Sequence, residues 1–513
     1  MKGNMASDNY PNTPTITPPQ ITIEDTGKVQ AVGAVFPHPD DKMRLAMYDY
    51  YANLFTGDHF EAFNIRVGED ESFSRAWKKL RYTVVNFAGL ISKITADMLF
   101  SEPIAINMPE GGDQEFVEGL WRDNNMDTQC YESALSNSYL GDALFKLRIG
   151  QREPLDKKSS LIIEDTTPKI YFPNVSDFNV RAHPEMETLA WVFEVSGAKY
   201  VRMEIHTPGQ IENKVYKLKG DKLDIEQPLS LLDIADIKPI EKTKVDFSLL
   251  QHVPNWKTGD RYFGISDYYD LDSLFYAINN RMSKVDNILD KHSDPILTVP
   301  TGILDEKGKV KKSQLGVIEI QEGETGKPEY IVWDASLDNA FKQVEKLVEF
   351  MYMIGEVSPD VLGMGQGQSD SGRALKFKLM RTIAKVARKK LYYDYAIKQA
   401  LYKAQVLAKA WGIEVEGKRL KGEPVVPELE WADGLPEDMV EELDNEIKAV
   451  DAGLKSKKQA IMTLYNLDEK SAEEMIKEQQ KEGAEAIKMN PMADFKPGDK
   501  MPGKTPPFAN KEK

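Results

Sequence analysis

The sequence is poor in the residues that build disulfide frameworks and metal centres. It has one cysteine, Cys130, and six histidines, at positions 38, 59, 183, 206, 252 and 292. A single cysteine excludes internal disulfides and a cysteine-rich zinc site, and it fits a protein kept in a reducing cytosol. No two histidines lie within five residues of each other, so the H-E-x-x-H pattern of zinc hydrolases is missing.

Long apolar runs and short catalytic signatures are also missing. The uncharged, largely apolar stretch Thr83 to Ser92 falls well short of the ~18 residues that would suggest a membrane span. The first twenty residues lack the apolar core of a secretory signal. Neither G-x-S-x-G nor C-x-x-C occurs. We therefore expect a soluble protein that is made inside the cell and has no membrane partner.

The composition indicates a large and strongly acidic chain. Its 513 residues allow roughly three domains, and 41% of them are hydrophobic, enough for a substantial core. The net charge of −16 argues against a protein whose whole surface binds nucleic acid.

Hydrophobic periodicity divides the chain into helical and β-rich regions. Helices are predicted from Asp41 to a stop at Gly57 and from Lys78 to Pro103. Short alternating segments from Gly141 to Val253 predict a mostly antiparallel β region. Further helices are predicted from the N-cap residues Ser266-Asp267 and over about 337–355, a short β return over 413–436 and a polar helical segment over 437–487. Asp267, Asp270 and Asp272 are interpreted as N-cap and first-turn carboxylates.

The most unusual predicted element is a long basic helix. No glycine or proline occurs between Arg373 and Trp411, and this stretch carries eleven basic residues and one acid, Asp394. Its basic residues recur at helical spacing, and a separate apolar stripe runs beside them. The basic members are Lys378, Arg381, Lys385 and Arg388, and the apolar ones are Met380, Ala384, Ala387, Leu391 and Tyr395. The basic face is either solvated or packed near phosphates or an acidic neighbouring subunit.

One motif suggests an ATPase. Gly498-Asp-Lys-Met-Pro-Gly-Lys-Thr505 satisfies the P-loop pattern G-x-x-x-x-G-K-[ST]. A working P-loop needs a strand before it and a helix after it, but Pro506-Pro507 forbid a helix directly after Thr505. A packaging ATPase therefore stays only an alternative. A weaker match, Gly367 to Ala374, lacks both the lysine and the hydroxyl residue.

A second motif suggests a zinc hydrolase. His38-Pro-Asp-Asp41 is similar to the signature of zinc-dependent deacetylases of sugar amides, in which a histidine and an aspartate bind zinc. Lys42 replaces the glutamate that follows in that family, and the downstream histidine pair is missing. Three protein ligands are needed for zinc hydrolysis, so this reading is also kept only as an alternative.

Taken in order, four segments resemble the portal proteins of tailed double-stranded DNA bacteriophages, of the siphovirus type. They are NFAGLISKITADMLFSEP, HVPNWKTGDRYFGISDYYDLDSLFYAINNRMS, DKHSDPILTVP and SPDVLGMGQGQSDSGRALKFKL. The resemblance spans about residues 40–485. It implies an α+β portal fold, with an α/β wing, a two-helix stem, a small β-containing clip, a long wing helix and a helical crown.

The resemblance also implies a division of the chain. The expected parts are a flexible N-terminal arm (1–40), a wing that is helical and then β-rich (41–265), a first stem helix (266–292), a clip (293–336), a second stem helix (337–356), a tunnel loop (357–372), the long basic helix with its return to the wing (373–436), a crown (437–487) and a disordered tail (488–513).

The implied function is a structural portal without catalytic residues, metal or cofactor. It is expected in the virion, at one capsid vertex, after synthesis in the host bacterial cytoplasm. The implied partners are further copies of the chain in a ring, usually of twelve, and double-stranded DNA that passes through without sequence specificity. The other implied partners are the large terminase ATPase, the major capsid protein and the head-completion or adaptor proteins, with a scaffolding protein as a further candidate. DNA would be packaged and ejected through the ring.

The implied sites follow these parts. The tunnel-loop candidates are Gly363, Gly365, Gln366, Gly367, Gln368, Ser369, Asp370, Ser371 and Gly372. The channel candidates in the stem are Lys342, Lys346 and Glu349, and those for motor docking in the clip are Lys307, Lys309, Lys311 and Lys312. The basic helix, for subunit contact or DNA, adds Arg373, Lys378, Arg381, Lys385 and Arg388. A conduit must hold DNA loosely, since a uniformly basic channel would bind phosphates too tightly for movement.

Overall fold

The computed structural model describes most of the chain in two compact units, Met1–Leu435 and Pro436–Lys513. The described residues are 32–63, 82–151, 159–174, 184, 186–232, 234, 237–293, 296–298, 329–331, 337–362, 372–432, 439–465 and 471–478.

Helices dominate both ends of the described chain. They are α1 (Pro39–Thr56), α2 (His59–Ala62), α3 (Phe87–Phe100), α4 (Gln114–Asp123), α5 (Met126–Leu140), α6 (Asp272–Ser293), α7 (Asp338–Ile354), α8 (Gly372–Trp411), α9 (Met439–Asp451) and α10 (Lys457–Tyr465). Residues 471–478 are also helical. The second unit therefore confirms the predicted polar helical segment where it is described.

The strands lie mainly between α5 and α6. They are β1 (Ala105–Asn107), β2 (Asp142–Gly150), β3 (Ser160–Thr166), β4 (Tyr171–Pro173), β5 (Glu187–Val195), β6 (Ala198–Thr207), β7 (Gln210–Lys219), β8 (Lys222–Gln227), β9 (Ile240–Lys242), β10 (Leu250–Pro254), β11 (Ile296–Thr298), β12 (Glu329–Ile331), β13 (Glu414–Val415), β14 (Lys418–Arg419) and β15 (Glu428–Glu430).

All the described strand pairs are antiparallel. One sheet has the order β4-β5-β6-β7-β8, with β9 also pairing with β7, and a second has the order β10-β2-β3. The predicted antiparallel region between Gly141 and Val253 is confirmed, and with the helices it makes an α+β fold.

The main core packs helices on the three-stranded sheet. Ile91 of α3, Leu120 of α4, Phe145 of β2 and Ile397 of α8 are all fully buried members of this core. A smaller core, including Val201 and Met203, covers one face of the larger sheet. Burial of these apolar side chains supplies most of the driving force that fixes α8 on the body of the first unit.

Two helices begin later than the sequence predicts. Residues 82–86 are not helical, and α3 starts at Phe87 because Asn86 caps it, its Oδ1 accepting from the Gly89 N–H at 2.9 Å. The α6 helix starts at Asp272 rather than at Ser266-Asp267. There Ser266 Oγ accepts from the Tyr268 N–H at 3.0 Å, which closes a turn that precedes the helix.

Close contact between two glycines fixes the position of that turn. A Cβ on Gly264 would lie 2.0 Å from the Gly141 carbonyl oxygen, and Gly141 itself has φ +94°. The same carbonyl accepts from the Asn255 N–H at 2.8 Å. Only glycines allow this approach, so the end of α5 and the segment before α6 are held together at one point.

The expected clip is described only at its base. Ile296–Thr298 and Glu329–Ile331 form an antiparallel pair. Lys307, Lys309, Lys311 and Lys312 lie outside the described residues, as does the Gly498–Thr505 motif.

Candidate functional site at the junction of α6, α7 and α8

One face of α8 carries lysines into the interior of the first unit. Lys385 and Lys389 are only 6% and 3% exposed, and Lys389 Nζ lies 3.0 Å from Asp267 Oδ2. Lys385 Nζ lies 3.5 Å from the same carboxylate oxygen. The turn before α6 is therefore tied to α8 by a buried charge cluster of one aspartate and two lysines.

Neutral side chains complete the cluster around Asp267. Ser138 Oγ donates to Asp267 Oδ2 at 2.7 Å, and Asn255 Nδ2 donates to Oδ1 at 3.0 Å. The side-chain oxygen of Asn255, Oδ1, also accepts a hydrogen bond from Lys389 Nζ. The segment Asn255 to Asp267 is thus bound to α8 at both of its ends.

In this cluster, burial disfavours the charged forms of the side chains, whereas nearby opposite charges favour them. Burial alone would raise the pKa of Asp267, but the two ammonium groups and the donors Ser138 and Asn255 hold it well below its usual range. Burial lowers the pKa of Lys389 to about 8, with the neighbouring Lys385 adding to the effect and Asp267 opposing it. At neutral pH the carboxylate is charged and each buried charge has a partner.

A second cluster holds the end of α7 against the same helix. Glu356 follows α7 with a left-handed backbone (φ +56°), and its carboxylate contacts the guanidinium groups of both Arg381 and Arg388. Lys385 Nζ donates to the Gly355 carbonyl oxygen at 3.0 Å, which places a cation at the C-terminus of α7. The stretch of α8 from Arg381 to Arg388 therefore binds the C-terminal end of α7.

The residues just after Glu356 are fixed in the same way. The Ser358 N–H donates to Thr382 Oγ1 at 2.8 Å, and Lys378 Nζ lies 3.5 Å from Asp360 Oδ1. Leu362 and Gly372 bound residues 363–371 on either side. The described residues that flank this segment are thus bound to α8 on one side and belong to α8 on the other.

The sequence matches the family described as "Phage portal protein, SPP1 Gp6-like" over residues 191–489, more than half of the chain. The chain belongs to this family of phage portal proteins. No curated protein matches it. A solved structure described as "Neck of empty GTA particle computed with C6 symmetry" is 12% identical, with 74% of this chain and 90% of that chain covered and a TM-score of 0.40. That score is too low to establish a common fold, so the assignment rests on the family match.

The family assignment confirms the predicted phage portal and its place in the virion, at a capsid vertex. The family is a structural one. The family match supports neither the packaging ATPase nor the zinc deacetylase.

The portal's predicted stem residues are described, whereas most of its predicted tunnel-loop residues are not. Lys342, Lys346 and Glu349 are exposed on α7, where Lys346 pairs with Glu349 at 2.5 Å. Gly363 to Ser371 lie outside the described residues, as does the Arg373 side chain, and Gly372 begins α8. These residues stay candidates.

The basic helix requires one correction. Lys385 was expected to face DNA or a neighbouring subunit, but it lies inside the subunit between Asp267 and the Gly355 carbonyl. Arg381 and Arg388 are half-exposed or more and pair with Glu356, while Lys378 pairs with Asp360. The helix therefore uses much of its charge within its own subunit.

Sequence reasoning missed most of the residues that form these clusters. Asp267 was assigned to an N-cap, and Asn255, Glu356 and Lys389 were not singled out. A signal was present for two of them, because Asn255 and Asp267 both lie in HVPNWKTGDRYFGISD, the start of one of the four portal-like segments. The spacing of Lys385 and Lys389, four residues apart, marks one face of a helix.

One aspartate of the His-Pro-Asp-Asp motif, Asp41, forms an ion pair inside the subunit. Asp41 Oδ1 accepts from Arg44 Nη2 at 2.8 Å, and both side chains are buried. Nowhere in the described residues do histidine, cysteine and acidic side chains gather into a group that could hold a metal ion. Among the same residues, no helix combines the length and apolar character of a membrane span.

Replacing Asp165 by asparagine is expected to weaken the pH dependence of stability. Burial, with a smaller effect of Glu132, raises the pKa of Asp165 to about 7. The folded state therefore binds this proton more tightly than the unfolded state, and the group's contribution to the free energy of unfolding falls as pH rises from about 4 to about 7. Urea unfolding at pH 5 to 8 measures the free energy of unfolding of both proteins. At pH 8 this free energy should be about 2–4 kcal/mol higher for the variant than for the parent. Parallel curves would contradict this assignment.

Proposed function

We propose that this portal protein assembles into a closed ring of identical subunits through which double-stranded DNA is packaged and ejected. The ring would contain about twelve copies, related by rotation around the channel. α6 and α7 would form the stem, residues 293–336 the clip and residues 437–487 the crown. The clip would dock the large terminase ATPase during filling and the head-completion proteins afterwards.

The mixed charge on α7 supports passage of DNA rather than retention. Lys342, Lys346 and Glu349 are all exposed, and the Lys346–Glu349 pair leaves little net positive charge. Each phosphate that a protein neutralises adds a salt-dependent contribution to affinity, so a surface with paired charges binds DNA weakly. Weak contact is what a conduit for any sequence requires.

The observation that carries the proposal is the double anchoring of residues 363–371. Glu356, Ser358 and Asp360 fix the preceding segment on α8, and α8 itself begins at Gly372. A polar segment rich in glycine and glutamine and fixed at both ends can reach toward DNA without moving the wing. We therefore propose that this segment touches the DNA transiently.

Deleting residues 363–371 is expected to reduce packaging while rings still assemble. Electron microscopy of the purified parent should show rings with a central hole, and the deletion variant should show the same rings. In phage complementation, the nuclease-protected DNA per particle should fall at least about tenfold, since the proposed DNA contact is lost.

A replacement of equal length separates spacing from chemistry. Glycine and serine throughout 363–371 would keep the connection but remove Gln366, Gln368 and Asp370. Packaging restored to the parent level by this replacement would show that spacing alone suffices, against a role for the side chains. A parent that stays monomeric would contradict the ring itself.

A further inference from the structure

The outer face of α8 is apolar and exposed. Phe377 (66% exposed), Met380 (63%), Leu391 (73%) and Tyr395 (49%) lie on it, with Ala384 and Ala387 between them. At 100° per residue these positions fall within a sector of about 80°, and they extend over about 27 Å of helix. We call them the α8 outer stripe.

The outer stripe is not the face that fixes α8 to its own subunit. Lys385, Lys389 and Tyr393 are buried on the opposite side of the helix, among the core and the charge cluster. Single exposed apolar residues are common, but a continuous stripe of large ones on one helix marks an interaction surface.

We propose that the α8 outer stripe packs against a neighbouring copy of this chain in the portal ring. The proposal rests on the proposed function, since a ring requires that each subunit present one surface to a different surface of the next. It goes beyond that function by naming the face of α8 that makes the contact.

Charge complementarity favours a second copy as the occupant. Eleven of the 66 basic residues but one of the 82 acidic residues lie in α8, which leaves 55 basic and 81 acidic residues, a net charge of −26, elsewhere in the chain. Arg381 and Arg388 border the stripe on one side. These two arginines share a single carboxylate, Glu356, so the border of the stripe keeps a net positive charge that complements a neighbouring copy whose remaining residues are acidic on balance.

DNA is a poor occupant of the same surface. A duplex presents phosphates, and Phe377, Met380 and Leu391 offer them no donor. The stripe, about 27 Å by 10 Å, would supply roughly a third of the ~800 Å² that each partner buries in a standard interface, so other contacts of the ring must add to it.

Substituting Leu391→Asp and, separately, Met380→Asp tests this contact in the full chain. Both side chains are largely exposed in the single subunit, so circular dichroism and the Tm should match those of the parent. The fraction of protein in rings, measured by mass photometry, should fall at least about tenfold because each interface would bury an unpaired carboxylate. Ile225→Asp, at an exposed apolar position on β8, is the matched control and should leave the rings intact.

A photo-crosslinking residue at position 391 of the purified protein gives a second readout. The expected result is a ladder of covalent dimers and higher species on a denaturing gel, with no such ladder from position 225. Rings that survive both aspartate substitutions, or crosslinks confined to single chains, would overturn the contact alone. A parent that forms no ring would overturn the proposed function and this contact with it.

Discussion

Replacing Asp267 by asparagine is expected to lower the free energy of unfolding by about 3–5 kcal/mol, because it leaves two buried lysines without their carboxylate. Lys389 lies 3.0 Å and Lys385 3.5 Å from Asp267, and all three side chains are almost fully buried. Asparagine keeps the size and one acceptor but not the charge. Urea unfolding at pH 7, followed by circular dichroism, measures the loss.

A surface pair provides the matched control. Glu349→Gln removes the partner of Lys346 on exposed α7, where the loss should stay below about 1 kcal/mol. Adding Lys389→Met to Asp267→Asn removes one of the stranded charges, so the double variant should recover part of the stability. An Asp267→Asn variant no less stable than Glu349→Gln would show that the charge cluster does not stabilise the packing of the segment Asn255 to Asp267 on α8.

Charge reversal at Lys385 and charge reversal at Arg381 would act on different contacts of α8. Lys385→Glu would place a second carboxylate beside buried Asp267, so it acts on the fold of the subunit. Arg381→Glu acts at a side chain that is 69% exposed and borders the outer stripe, but it would place a carboxylate beside its partner Glu356. Both substitutions therefore disturb contacts inside the subunit, and the aspartate substitutions in the outer stripe are the cleaner probes of ring contacts.

Local signals in the sequence are enough to predict much of this fold. The absence of glycine and proline from 373 to 411 predicts a single helix, and α8 spans Gly372–Trp411. Gly57 ends α1 as predicted, with the left-handed backbone that favours glycine (φ +87°). Alternating apolar residues likewise predict the antiparallel sheets, since strand periodicity is set by neighbours two residues apart.

The interior charge clusters depend on long-range contacts and could not be predicted in this way. Periodicity places Lys385 and Lys389 on one face of a helix but does not reveal that this face is buried, because Asp267 lies more than a hundred residues earlier. The same contact explains why α6 begins late, since Asp267 serves α8 instead of capping a helix. The tunnel-loop and clip residues stay predictions.

Replacing Arg44 by methionine is expected to cost about 3–5 kcal/mol in the free energy of unfolding, since it strands a buried carboxylate. Arg44 is 3% exposed and donates to Asp41 at 2.8 Å and to the carbonyl oxygens of Pro168 and Tyr171 at 3.3 and 2.9 Å. Its guanidinium carbon also lies 4.3 Å from the centre of the Phe263 ring.

Arg44→Lys tests whether the shape of the guanidinium matters as well as its charge. An ammonium keeps the charge near Asp41, but it is compact and lacks the planar fork that reaches both carbonyl oxygens while stacking on Phe263. We expect about half of the loss seen with methionine, measured by urea unfolding at pH 7. Equal losses in the two variants would mean that the fork, rather than the ion pair with Asp41, accounts for the stability of this junction between α1 and the β-rich region. A lysine variant as stable as the parent would mean that charge alone suffices.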